Sequence, residues 1–367
     1  MRPDGPDAER ALSAALGKIW SRGQIYGRSR RIAVERTAAE LLARMEEALG
    51  PLSDHVRVAP EDPSQTKWDA VGNLAPLPAA ARQVAALWLV DVLNAGGLFV
   101  EFQAIFDLRT GDTLGYEGLL RARSAEGGVH RAAELFPAAL RLGIAQVFER
   151  MSWIHVLEAA RRLPDDSMLF LNVNPHLLTG SNPGLAALGV EAERLQFPYT
   201  RLALDLVEVE RVESLERLAA ELAVPHDLGV SITLDDITSG YGTIKYCSGL
   251  SPRWIKVDSE ITTGVATDSP RRAVLRLLAQ VARDASVGLI AEGIESAPDL
   301  DVCVQEGVFA AQGYFLGRPS EAPSPSSPEF REWLAARPAA SAGADPADPS
   351  SRPRKQPLRD SKDGFEL

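Results

Sequence analysis

From about residue 80 to residue 320 short apolar runs alternate with stretches whose apolar residues recur at helical spacing. That is the pattern of repeated strand and helix units on a largely parallel sheet. Eight runs read as strands: 98–107, 113–120, 168–172, 202–207, 230–234, 254–257, 288–291 and 308–311. Helical patterns separate most of them, as at 137–163, 214–223 and 270–285. Eight strands in about 240 residues is the size of a (β/α)8 barrel. The first two are joined only by the turn-like RTGD of Arg109 to Asp112, too short for a crossover helix, so they form an antiparallel hairpin. The expected fold is α/β, a modified TIM (β/α)8 barrel with an antiparallel first strand.

The flanks differ in character. Residues 36–49 carry apolar positions at helical spacing, and 61–78, with three prolines, read as a loop, so residues 1–80 are expected to form a small helical appendage before a barrel spanning 81–320. Arg28, Arg30 and Arg31 offer a basic cluster there, which composition favours as a solvated face over a contact with an anion or a protein partner. From residue 321 to 367 Pro, Ser, Ala and charges dominate, a composition expected to stay disordered because it buries too little apolar surface to offset its ordering entropy.

Composition narrows the chemistry. The formal net charge of -11 argues against binding nucleic-acid polymers, which need a basic face, while a small anionic nucleotide needs only a local positive site. Two cysteines, Cys247 and Cys303, form no CxxC pair and fit a reducing compartment. The longest apolar stretch, 84–100, is interrupted by Asp91 and Asn94. No signal peptide or membrane span is expected, and the protein is read as cytoplasmic.

The C-terminal edge of barrel strands forms the reactive mouth, so polar residues that end the apolar runs converge there. They are Glu117, Asn172, Asp205, Asp235 and Asp236, Lys256 and Asp258, Glu292 and Gln312. Asp and Asn also cap helices and make turns, so Asn172 or Asp205 taken alone is ambiguous. Glu, Lys and Gln are poorer caps, and the set as a whole points to chemistry. Carboxylates with an amide suit hard cations such as Mg²⁺ or Mn²⁺. The five histidines, at 55, 130, 155, 176 and 226, have no zinc-site spacing. A lysine among carboxylates is suited to stabilising an attacking hydroxide or a developing phosphorane charge.

These residues sit in strings that resemble the EAL family of cyclic di-GMP phosphodiesterases. FQAIFDLRTGDTLGYEGLLR (residues 102–121) is similar to the opening of an EAL domain, with the Glu-Ala-Leu signature and a following Arg; FLNVN, LDLVEV, ITLDD, IKVD, AEGIE and AQGY follow in family order, covering about 98–319. The resemblance implies two Mg²⁺ or Mn²⁺ ions per site held by Glu117, Asn172, Asp205, Asp235, Asp236 and Glu292, with Asp235 between them. It implies that Lys256 holds the catalytic water, that Arg121 contacts substrate phosphate, and that Gln312 supports the water or substrate. Glu208 is expected to brace the loop after strand five, and Glu295 ends AEGIE. The implied reaction is direct water attack on one phosphodiester of cyclic di-GMP, giving linear pGpG. It also implies pairing of two copies through the side of the barrel near that loop.

Three positions depart from the family pattern: Gly118 replaces the signature Ala, Asp205 stands where Glu is usual, and DDITSGYGT (235–243) replaces a sequence close to DDFGTGYSS. The shorter Asp205 draws its carboxylate back by about 1.5 Å, one C–C bond. Thr238 would be strained if the backbone there needs glycine freedom. These departures leave open a degenerate domain that binds cyclic di-GMP without cleaving it, or a protein-interaction module working through residues 1–80.

Overall fold

The computed structural model describes residues 2–3, 11, 24–26, 29–31, 38–58, 75–177, 184–238 and 240–337. The larger of its two compact units, 98–122 with 146 onward, is built on eight strands. They are β1 (Leu98–Asp107), β2 (Thr113–Arg123), β3 (Met168–Val173), β4 (Leu202–Leu206), β5 (Ser231–Ile237), β6 (Trp254–Val257), β7 (Gly288–Ala291) and β8 (Ala310–Ala311). From β2 through β8 each neighbour is parallel. β1 runs antiparallel to both β2 and β8 and closes the ring. The reversed strand is the one that the RTGD connection predicted.

Helices follow the strands: α1 (Ala145–Ala160), α2 (Gly184–Arg194), α3 (Leu215–Asp227), α4 (Gly240–Leu250), α5 (Ser269–Ala285) and α6 (Ala297–Glu306). Ser214, Asp268 and Ser296 accept the backbone N–H three residues on and so start α3, α5 and α6, each cap contributing about 1 kcal/mol. The single helical pattern expected over 137–163 is two helices, Ala132–Arg141 and α1. Gly143, at φ 72°, supplies the left-handed turn that ends the first.

Strand side chains alternate, so one face of each strand fills the barrel. Ile105, Met168, Phe170, Ala203, Trp254, Ile290 and Ala310 make a buried apolar layer inside it. Two residues further along their strands, on the same face, come Asn172, Asp205, Lys256, Glu292 and Gln312. Apolar packing below thus fixes the polar layer above.

A further helix of this unit, α7 (Pro328–Ala335), corrects the expectation of disorder from residue 321. Ser327 caps it, Phe330 is fully buried with its ring 5.1 Å from that of Phe106, and Trp333 donates to Asp301 at 3.0 Å. Three apolar residues at helical spacing suffice to dock one short helix, yet are too few to stand out in a Pro/Ser-rich stretch. Residues 338–367 lie outside the described residues.

The smaller unit comprises 1–97 and 123–145. Helices Ala38–Leu49 and Leu77–Val84 bury Met45 and Leu77 with Val56, and strands Arg2–Pro3, Val56–Val58 and Ala75–Pro76 form an antiparallel sheet. The appendage is therefore mixed, not purely helical. Strands of two or three residues carry no alternation that a sequence could display. Most of the expected loop at 61–78 and the side chains of Arg28, Arg30 and Arg31 lie outside the described residues. Among the described residues no helix is long and apolar enough to cross a membrane.

Candidate active site

The polar layer converges on Lys256. Its Nζ lies 2.6 Å from Glu292 Oε1, 3.0 Å from Asp205 Oδ2, 3.2 Å from Glu117 Oε2 and 3.3 Å from Asp235 Oδ1, and the lysine is wholly buried. Asn172 Nδ2 donates to Glu117 Oε1 at 2.9 Å. Gln312 Nε2 donates to both Glu117 Oε2 and Glu292 Oε1 at 2.7 Å. Strands β2, β3, β4, β5 and β6 and the segments directly after β7 and β8 thus each deliver a group to a single cluster.

Strict alternation would send the adjacent Asp235 and Asp236 to opposite faces. The β5–β6 register shifts between Leu234 and Ile237, and Asp236 takes a left-handed backbone at φ 55°, as in a β-bulge. The Asp236 N–H donates to Asp235 Oδ1 at 3.0 Å, and ligand oxygens of Asp235, Asp236 and Glu292 come within 4.8 Å of one another. A non-glycine residue in this conformation costs about 1 kcal/mol or more, here at the rim of the cluster. Asp258 joins too: its carboxyl shares a hydrogen bond with that of Asp236. In the sequence Asp258 is marked only as a strand-end residue two positions after Lys256, with no site role attached.

Like charge in a buried place shifts these groups. Burial, with Asp235 and Glu117 nearby, pushes Asp205 up to about 8 despite the Lys256 ammonium. Burial, then Asp235 and Asp258, push Asp236 up to about 7. Asp235 is raised and Glu292 raised well above the usual range, burial being the main cause for both. For Glu117 burial is outweighed by Lys256 and the Asn172 and Gln312 hydrogen bonds, which hold it low. Lys256 loses by burial but gains more from four carboxylates and stays charged. One ammonium therefore leaves this carboxylate set under-compensated.

The donor set fits divalent cations. Asp205 Oδ1 and Gln312 Oε1 are buried without a hydrogen-bond partner, and a buried oxygen of this kind calls for a ligand. The oxygen-only ligands match hard ions.

Other predicted residues lie apart. Arg121, on the same inward face of β2 as Glu117 but nearer the mouth, is buried; its Nε donates to Glu101 Oε2 at 2.8 Å and Nη1 to the Leu120 carbonyl at 3.0 Å. Glu208 sits in a left-handed turn at φ 53° and pairs with Arg211 at 3.0 Å, outside the cluster. Glu295 is exposed and lines a surface groove of about 880 Å³ with Tyr314 and Arg318. Thr238 is exposed and is not among the residues with positive φ, so the anticipated need for glycine freedom does not arise there. Ile237 is buried. Gly118 is demanded by packing: a Cβ there would lie 2.3 Å from Val156 Cγ1.

An unforeseen buried carboxylate meets the end of β3 from α1. Glu149 on α1 is buried, and its Oε1 accepts the Asn174 N–H at 2.8 Å. Burial pushes it up to about 7, against the Asn174 and Trp153 hydrogen bonds.

A barrel with one reversed strand and an oxygen-rich cluster at its mouth defines a class that the comparisons with known proteins specify. The EAL domain family profile matches residues 86–319, more than half of the chain, and the protein belongs to that family. Probable cyclic di-GMP phosphodiesterase PdeG of Escherichia coli (strain K12) is 28% identical over 241 residues, 62% of this chain and 45% of that protein. Cyclic di-GMP phosphodiesterase PdeL of the same strain is 22% identical over 236 residues, 63% of this chain and 64% of PdeL. The uncharacterized protein y4lL of Sinorhizobium fredii is 27% identical over 245 residues, 65% of this chain and 29% of y4lL. The chain thus spans less than half the length of y4lL and PdeG.

Among solved structures, a standalone EAL protein from Vibrio cholerae O395, bound to c-di-GMP, superposes with a TM-score of 0.56 at 24% identity, covering 64% of this chain and 97% of its own. The Bacillus subtilis YkuI protein, with an EAL domain in complex with c-di-GMP and calcium, gives 0.57 at 24%, covering 67% and 64%. These likenesses establish the shared barrel fold.

Proposed function

We propose that this chain hydrolyses cyclic di-GMP to linear pGpG with two Mg²⁺ or Mn²⁺ ions. The observation that carries the reading is the buried Lys256 within 3.3 Å of four carboxylates from three strands and the end of a fourth, an under-compensated cluster with an orphaned Asp205 oxygen. Family membership supplies the substrate class.

Glu117, Asn172, Asp205, Asp235, Asp236 and Glu292 would hold the cations. Divalent ions, when bound, acidify a water and neutralise phosphate charge. The chain does the rest. The Lys256 ammonium, fixed by its carboxylates, would present an N–H to the entering water oxygen and to the negative charge that develops on the phosphoryl oxygens. Gln312 keeps the Glu117 and Glu292 carboxylates in register through its two 2.7 Å bonds. Arg121, at the mouth, binds a substrate phosphate. The step needs one water and one phosphodiester: the P–O3′ bond breaks, the 3′ oxygen takes a proton, and the 5′ phosphate keeps the water oxygen.

Asp205 favours a second reading. Its shorter side chain is wholly buried and bonded to Lys256, a geometry that also suits a receptor binding cyclic di-GMP without turnover. Incubation with Mn²⁺ and cyclic di-GMP separates the two. Hydrolysis predicts pGpG from the wild type and none from Glu117→Ala; binding without product would favour the receptor.

A further inference from the structure

Glu149 is a costly residue to bury, and the partner its carboxylate meets at 2.8 Å is a neutral backbone N–H, that of Asn174. A carboxylate removed from water needs a reason, and its hydrogen bonds supply one. Glu149 and Trp153 stand one turn apart on α1 and reach the same short backbone stretch at the end of β3. Glu149 Oε1 accepts the Asn174 N–H at 2.8 Å. The Trp153 indole N–H donates to the Asn172 carbonyl oxygen at 3.2 Å and also reaches the Glu149 carboxylate. One contact grips the peptide of Asn172 itself, the other the backbone two residues on.

Between these grips lies the side chain of Asn172, whose Nδ2 donates to Glu117 Oε1 at 2.9 Å. β3 ends at Val173 and the chain turns at once into the 3-10 helix Pro175–Leu177, so no further sheet pairing holds the Asn174 N–H. Without an acceptor from α1 that donor would be orphaned, and the backbone just past Asn172, whose other hold is the pairing of β3 with β4, would lose its hold from the helix side.

We propose that Glu149 and Trp153 are positioning residues that fix Asn172 against Glu117 at the cation site. The proposal rests on the reading of Asn172 as a ligand for its metal consequence, though not for the Asn172 geometry. The paired clasp acts as outer hydrogen-bond partners do elsewhere, where their loss costs about 10–100-fold in metal affinity.

The test uses the full chain labelled with ¹⁵N-asparagine. The chain has five asparagines, so the side-chain amide pair of Asn172 is assigned by its disappearance in Asn172→Ala. Glu149→Met, similar in length but without a carboxylate acceptor, should shift or broaden that pair and weaken Mn²⁺ binding at least about tenfold. Glu149→Gln, which keeps an acceptor for the Asn174 N–H, should leave the Asn172 pair nearly in place, with Mn²⁺ affinity within about threefold of wild type. In the Asn172→Ala background Glu149→Met should add no further loss of affinity. Trp153→Phe keeps an aromatic side chain, smaller by the pyrrole part of the indole, and removes the N–H donor; it should move the same resonances and decides the matter if Glu149→Met does not fold. Loss of thermal stability with the Asn172 pair unmoved in Glu149→Met and Trp153→Phe would overturn the proposal. If the wild type takes up no Mn²⁺, the cation reading fails while the Asn172 resonances still decide the positioning role.

Discussion

The ammonium of Lys256 stands 3.0 Å from the carboxylate of Asp205, and neither side chain reaches solvent. Removing the lysine leaves buried carboxylates facing one another, which breaks a buried ionic network at a cost of about 3–5 kcal/mol unless they take up protons. Lys256→Met should therefore be less stable than wild type, more so at pH 8 than at pH 6. A carboxylate whose folded pKa is raised binds more protons folded than unfolded, so stability falls as pH climbs from the ordinary carboxylate range through the folded value. Thermal melts in a chelator at the two pH values check this. A variant that melts like wild type at both would deny Lys256 its role as counter-charge.

Cation uptake must displace the protons held by Asp205, at about 8, and Asp236, at about 7. Mn²⁺ affinity should rise between pH 6 and pH 8.5, by up to about tenfold per pH unit for each proton released. Isothermal titration in buffers of different ionisation enthalpy measures both the affinity and the proton count. A flat profile would mean that the cluster binds cations without deprotonating.

Restoring the family signature at Gly118 should harm this chain. Alanine there would drive its Cβ to 2.3 Å from Val156 Cγ1, and overpacking of this kind costs about 1–3 kcal/mol. Gly118→Ala should lower the melting temperature, and adding Val156→Ala should recover part of the loss. Unchanged melting for Gly118→Ala would mean that α1 yields freely.

In the proposed function Glu101 would compete with phosphate for Arg121, its carboxylate lying 2.8 Å from the guanidinium. A partly exposed pair of this kind is worth about 1 kcal/mol or less, so Glu101→Gln should tighten cyclic di-GMP binding by up to about fivefold. Arg121→Ala should weaken it. Fluorescence titration with Ca²⁺ in place of Mn²⁺ reads binding alone.

The barrel was legible because its strands are short, apolar and bounded by turn residues; β1, β6 and β7 fall at the predicted limits of 98–107, 254–257 and 288–291. The cluster was legible because alternation carries an inward apolar residue such as Trp254 or Ile290 to an inward polar one two positions later. What stayed hidden depends on local geometry or long-range contact. The Asp235–Asp236 bulge breaks alternation without glycine to mark it. Glu149, on a helix, looks like any solvated acid until β3 packs over it, and Glu101 becomes a partner of Arg121 only through the β1–β2 register. Gly118 reads in sequence only as a replacement of the signature Ala and proves to be the space that Val156 fills.

Hydrolysis of cyclic di-GMP by the full chain with Mn²⁺ in ¹⁸O-water tests the central claim most directly. Product mass spectrometry should show pGpG with one heavy oxygen in its 5′ phosphate, from direct water attack. Cyclic di-GMP recovered intact after prolonged incubation, with binding demonstrated in the same sample, would contradict the claim and leave a receptor.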